Sequence, residues 1–302
     1  GGLLIDVASW HAIFWLNIPL AIISMVILWL LLPQDSSSPE KPVTPMWTQT
    51  DWLGIALFTA AITTWILWAN TKQLFATPGL FTVLTSILLS AGLIIVEMRH
   101  ASPVVPIHWF HRPQFALSSA ITVLANLVMY CILYGLPVFL ETVRSFSATQ
   151  SGLLLLSFAG VMSIASPLGG HIAQGPHRRV PLLISGILLL AGTLVLCFVS
   201  LLPLYAIIGS LGLVGMSFAI GNVVIQQIVI ESAPQSETGQ ASGVYTLLRY
   251  LGTILSSVLI GMDISTAAGA RSLFIILTIA SAATSVLALG LHDAGGTASR
   301  VT

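Results

Sequence analysis

Charge is what this sequence has least of. Only 7% of its 302 residues are Asp, Glu, Lys or Arg, and the two signs cancel at ten each. Soluble domains carry about 25% charged residues, so a chain this poor in charge cannot clothe a core of its size in solvated surface. A zero balance also leaves no basic field to hold nucleic acid. Cysteine is nearly absent. Cys131 and Cys197 each sit inside an apolar run and read as reduced packing thiols, since disulfide frameworks belong to small secreted domains. There is no GxxxxGK[ST] phosphate loop, no HExxH and no CxxC, which removes the usual signatures of nucleotide-driven transport and of several metalloenzymes. His100, His108 and His111 share one polar loop, but no thiolate or nearby carboxylate completes a metal set. No enzyme activity, cofactor or metal is expected.

What fills the chain is long hydrophobic runs. Apolar residues make up 56% of it. A hydrocarbon core about 30 Å thick needs about 20 apolar residues of helix, and nine stretches approach that length: 13–32, 53–70, 80–96, 115–138, 151–172, 180–202, 204–225, 241–262 and 272–291. Only helices and closed barrels satisfy their backbone in lipid. The fold class predicted is therefore all-α, a polytopic integral membrane protein with nine transmembrane helices and the lipid bilayer as its solvent.

Polar punctuation divides the chain. Residues 33–50 and 99–112 are Pro-rich connections, predicted as linkers. Between them, 51–98 reads as a two-helix insert. Residues 113–291 read as one six-helix bundle, and 292–302 as a tail. The opening Gly-Gly-Leu-Leu-Ile-Asp reads as the end of a helix already under way, so residues 1–32 are taken as the close of an earlier bundle in a longer protein. Placing the 33–50 loop in the cytoplasm puts Lys41, Arg99, Arg112, Arg178, Arg179 and Arg300 inside, against Lys72, Arg144 and Arg271 outside. That follows the positive-inside rule and makes the C-terminus cytoplasmic. Small residues recur at Gly209, Gly212 and Gly215, and at Gly252/Ser256 and Ser257/Gly261. Such faces let helices approach in lipid.

Few side chains could carry transport chemistry. Arg249 stands within a span, where a charge costs about 2.5–3.5 kcal/mol on insertion scales and tends to face a cavity or a partner. Tyr245 precedes it by one turn. A gate or structural contact and a direct role toward substrate or proton are both open for Arg249. Asn126, Tyr130 and Tyr134 fall at i, i+4 and i+8, on one helix face. Phenols there suit amphipathic or cationic compounds, although ordinary interhelical hydrogen bonding would also use them. Asn222 and Gln226 form a second i, i+4 pair, fit for a gate or for binding. Glu141, Asp263, Asp51, Glu97 and Glu231 all fall near helix ends and read as interfacial charges; no acid lies at mid-depth.

Several segments resemble the major facilitator superfamily, and within it the fourteen-helix drug:proton antiporter branch. Gly1, Gly2, Trp10, Ile13, Phe14, Asn17 and Pro19 fit the end of the fifth family helix and the start of the sixth, with His11 and Ala12 departing from the usual Arg and Trp. Asp51-Trp52-Leu53-Gly54 resembles the entry to the branch's two extra helices, and Glu97 with Pro103 and Pro106 the exit. In GGHIAQGPHRR, Gly170, Ile172, Ala173, Arg178 and Arg179 match the basic cytoplasmic loop motif, while Gln174, Gly175 and His177 depart from it. Gly239, Gly243, Arg249 and Gly252 resemble the penultimate helix. The resemblance implies two facing bundles that expose a midplane site alternately. It implies export of small amphipathic or cationic drugs from the plasma or inner membrane, with protons as coupling ion, and a missing N-terminal bundle as partner. A same-fold transporter of another solute (a metabolite or siderophore) and a non-transporting scaffold or sensor are the alternatives.

Overall fold

The computed structural model of the protein describes residues 11–31, 51–69, 77–99, 105–175, 177–234, 237–261, 264 and 266–291. Gly1, Gly2, Trp10, the 33–50 linker, Lys72, Pro103, Asp263 and the 292–302 tail lie outside these residues. Nine helices occur among the described residues. They are α1 (His11–Leu31), α2 (Trp52–Ala69), α3 (Thr77–Arg99), α4 (Pro113–Val143), α5 (Ala148–Ala173), α6 (Arg179–Leu196), α7 (Leu204–Glu231), α8 (Thr238–Ile260) and α9 (Ala267–Leu289). Eight are long and apolar enough to cross a bilayer, whereas α2 is a shorter apolar helix. Its 18 residues span about 27 Å, just under the thickness of a typical hydrocarbon core.

Local chemistry sets the helix ends. Pro113 occupies the first turn of α4, where its fixed φ favours the helix and its missing donor costs nothing. Ser147 and Gln150 form a reciprocal capping box at the start of α5, satisfying two orphan donors. Thr266 caps α9 through the Gly269 amide at 3.0 Å. Several spans differ from the sequence reading; the seventh runs on to Glu231 and the ninth begins at Ala267. The sixth stops at Leu196, and the residues after it form turns. The Arg144 guanidinium donates to the carbonyls of Leu202 (2.9 Å) and Val199 (3.4 Å) at that corner. The fourth runs on to Val143 through a π turn at Cys131–Gly135. Pro137 stands two residues past the turn and has no amide to offer the carbonyl one turn back, so a widened turn relieves the local mismatch.

Helices α2 and α3 pair as a hairpin, with the Trp65 indole donating to Ser90 at 3.1 Å. Helices α4 to α9 form a bundle in which α5 and α6 pack along α7, α8 along α4, and α9 against α6 and α4. The described side chains of α1 are exposed along its length. The bundle interior holds two apolar clusters. One gathers Val128, Ile132, Leu189, Leu211 and Leu277, the other Phe115, Leu182, Val224, Val244 and Ala288. On four helices the change from one cluster to the other falls at a polar residue: Asn126 on α4, Ser185 on α6, Asn222 on α7 and Thr284 on α9.

Backbone contact joins α5 to α7. A Cβ on Gly169 would strike the Ala219 carbonyl, and one on Gly215 would strike the Phe158 carbonyl. Of the expected stripe, only Gly215 meets a neighbouring backbone; Gly212 is 3.7 Å from Val161 and Gly209 faces open space. On α8 a Cβ at Gly252 would lie 2.5 Å from the Val123 carbonyl. We expect Gly215→Val to lower the midpoint of thermal unfolding in detergent, at a cost of about 1–3 kcal/mol from overpacking. Gly209→Val should leave the midpoint in place. Equal behaviour of the two variants would refute the contact.

Candidate functional site

The polar side chains of α7 and α8 meet inside the bundle. Tyr245 is 2% exposed, and its hydroxyl donates to Asn222 Oδ1 at 2.6 Å. The Asn222 carbonyl lies 3.3 Å from the same hydroxyl. One turn along α8, the Arg249 guanidinium stands over the Tyr245 ring, 5.9 Å from its centroid. Arg249 Nε is buried and has no hydrogen-bond partner. Because α8 begins at Thr238, Arg249 lies about 16 Å along it. A guanidinium over a desolvated aromatic face gains about 2 kcal/mol, which offsets part of its insertion cost. The arrangement fixes one positive charge with an uncommitted donor within a span. Such a group can attract an acceptor or be displaced by a competing cation. Gln226, half-buried, follows Asn222 by one turn on α7.

Asn126, Tyr130 and Tyr134 form a graded stripe on α4. Asn126 is buried, Tyr130 is partly buried and Tyr134 is 52% exposed. The two rings stack at 5.7 Å with 26° between their planes. The π turn begins just after Tyr130 and contains Tyr134, and sequence periodicity gave no sign of it. Gly135 and Pro137 were the signal that could have. Asn126 borders a narrow cavity of about 30 Å³, which Ser185, Ser217, Asn222 and Thr284 also line. Asn222 therefore faces the cavity and also binds Tyr245. The structure thus draws Asn126, Asn222, Tyr245 and Arg249 toward one region, with the tyrosine pair farther along α4 and Gln226 farther along α7.

The basic loop motif stands at one end of the bundle. Arg178 Nε donates to the Ala173 carbonyl at 3.1 Å, and its Nη1 pairs with the Glu231 carboxylate. Gln227 steadies the other Glu231 oxygen at 3.2 Å. Beside them Arg112 reaches the Ser232 carbonyl at 3.1 Å. Glu231 is thus the partner of the motif's first arginine, not merely an interfacial charge. The 28 residues of α7 span about 42 Å and carry the acid beyond the hydrocarbon thickness. Arg179 begins α6. Gly170 has open space where a Cβ would be, and the tight approach belongs to its neighbour Gly169. In the hairpin, Asp51 and Glu97 are each 3% exposed. Asp51 accepts from the Gly54 amide at 2.7 Å and Glu97 from the Val105 amide at 3.1 Å. A Cβ on Gly54 would lie within 2.9 Å of both carboxylates, so these acids are packed together rather than solvated.

A polytopic helical bundle with a charged, hydrogen-bonded line inside it has the build of a membrane transporter. The sequence matches the Major Facilitator Superfamily over residues 1–257. The chain belongs to that family, whose members are transporters and not enzymes. It is 30% identical over 299 residues to the uncharacterized MFS-type transporter YwoD of Bacillus subtilis, covering 96% of this chain and 64% of that one. It is 26% identical over 264 residues to the multidrug resistance protein Stp of Mycobacterium tuberculosis, covering 86% and 48%. The MFS-type efflux transporter pyiT of Pyricularia grisea is 25% identical over 265 residues, covering 84% and 43%. The chain thus spans about half to two thirds of the length of these relatives.

The loop-motif ion pair generates its own prediction. Its side chains are 13% and 42% exposed for Arg178 and Glu231, so water screens it in part. A double-mutant cycle with Arg178→Gln and Glu231→Gln should return a coupling energy of about 0.2–1 kcal/mol in thermal unfolding. Strictly additive losses would mean that the pair adds nothing to stability.

Proposed function

We propose that the chain is the C-terminal portion of a secondary active transporter that exports amphipathic or cationic compounds in exchange for protons. The observation that carries this reading is the Asn222–Tyr245–Arg249 line. It commits a charge, a phenol and an amide to the inside of two spanning helices, where unused polar groups are costly. In this reading α4, α7 and α8 face a second bundle encoded upstream, and the exposed Tyr134 and part-buried Tyr130 contribute aromatic surface to the route. Arg249 sets the electrostatic threshold of the route and Gln226 its polar margin. The Arg178–Glu231 pair then closes the cytoplasmic end, with Gly170 and Arg179 beside it. The protein sits in the plasma or inner membrane with its C-terminus inside. The names of the multidrug resistance protein Stp and the efflux transporter pyiT support efflux as the direction; the substrate class and the proton rest on the resemblance to the drug:proton branch. The two-helix insert 51–98 and the six-helix unit 113–291 serve as separate parts of this machine.

The test uses the full-length parent protein in cells and in proteoliposomes. Arg249→Ala should reduce dye efflux about tenfold or more, and Tyr245→Phe by roughly fivefold, the cost of about 1 kcal/mol for one hydrogen bond. Tyr130→Phe should shift the apparent affinity for cationic dyes more than the maximal rate. Unchanged efflux in all three variants at normal expression would remove the polar line from the transport route.

A further inference from the structure

The cavity beside Asn126 has an unbalanced hydrogen-bond ledger. Asn126 is 2% exposed, and its Nδ2 donates to the Thr122 carbonyl at 2.8 Å. Its Oδ1 is buried and has no partner. The hydroxyls around the cavity cannot supply one, because each already gives its proton to a backbone carbonyl. Ser185 donates to Ser217 at 3.0 Å, Ser217 to Ser185 at 2.8 Å, and Thr284 to Ser281 at 2.7 Å. Apart from the Asn222 amide nitrogen, what this wall presents is oxygen lone pairs. A buried acceptor left without a donor costs about 1–3 kcal/mol, and native structures almost always fill such a vacancy with protein or water.

The occupant must bring its own protons and fit about 30 Å³, which is room for at least one water molecule. No Asp, Glu, Lys or Arg lines the space. A metal cation would find only a few neutral oxygens and no carboxylate there to offset its lost hydration. We propose that this cavity is a hydration site, holding a water that donates one hydrogen to Asn126 Oδ1 and the other to a facing hydroxyl oxygen. The water joins α4 to one facing helix, through Ser185, Ser217 or Thr284, at the level where the two apolar clusters part. It gives Asn126 a structural ligand inside the bundle, and it stands whether or not the polar line serves transport. A bridging water is nearly as good enthalpically as a direct bond. Unlike a direct bond, it lets the helices re-space slightly without losing a partner.

Radiolytic hydroxyl-radical footprinting of the full-length parent protein in phosphatidylcholine nanodiscs tests this, because a bound water generates radicals where bulk solvent cannot reach. Phe218 and Leu189 form cavity wall and are 4% and 2% exposed; Phe274 and Leu273 are 1% exposed and lie outside it. We expect Phe218 and Leu189 to be oxidised several-fold faster than the second pair. Asn126→Leu should abolish the difference, and Thr284→Val serves as the milder variant should Asn126→Leu fail to fold. Equal rates for the two pairs in the unaltered protein would show a dry cavity and overturn the proposal. So would a difference that survives in a folded variant. A difference that changes when sodium and potassium are replaced by choline would show a cation in the site, and would overturn it as well.

Discussion

Contact between helix backbones in lipid is the constraint on which the bundle depends. Lipid tails are as apolar as leucine, so burying apolar side chains supplies little drive for one helix to leave lipid and meet another. Close packing and satisfied polar groups must do it instead. The α5–α7 crossing shows how: Gly169 and Gly215 sit on opposite helices, and each admits the partner's carbonyl where any side chain would collide. Gly252 does the same for α8 against α4. These contacts bring α4, α5, α7 and α8 near enough for Asn222, Tyr245 and Arg249 to meet.

Polar groups are then distributed by depth. Two apolar clusters fill the ends of the bundle, and hydroxyls and amides lie between them. Most of these hydroxyls bond a carbonyl of their own helix or of the next one, as Ser185 and Ser217 do reciprocally. Such bonds rigidify the bundle without exposing charge. Arg249 and Asn126, like Trp109 and Ser119, each keep a buried polar atom without a protein partner. The first is a charge and lies beside a phenol; the second is a neutral acceptor and lies beside a water-sized space. A charge and a dipole left over in the same bundle thus have different uses.

Charge at the helix ends follows another logic. Arg178, Glu231, Gln227 and Arg112 tie the α5–α6 and α7–α8 corners together. Arg144 holds the α6–α7 corner at the other end of the bundle. Corners in a membrane bundle carry the only backbone groups that helices leave unpaired, and arginine has enough donors to serve several carbonyls at once.

Composition and hydropathy determined that this protein is a stack of helices in a bilayer, because the length of an apolar run and the price of an unpaired amide leave no other fold. They also located Arg249, since a charge inside an apolar run stands out in one dimension. The pairing of Tyr245 with Asn222 was not legible, because it joins residues 23 positions apart across two helices. Nor was the Arg178–Glu231 pair, 53 positions apart. The burial of Asn126 away from the tyrosines, and the choice of Gly215 over Gly209 as the contact, follow from where each helix is rotated against its neighbours. Rotation is set by packing among several helices at once, and no single stretch of sequence contains it.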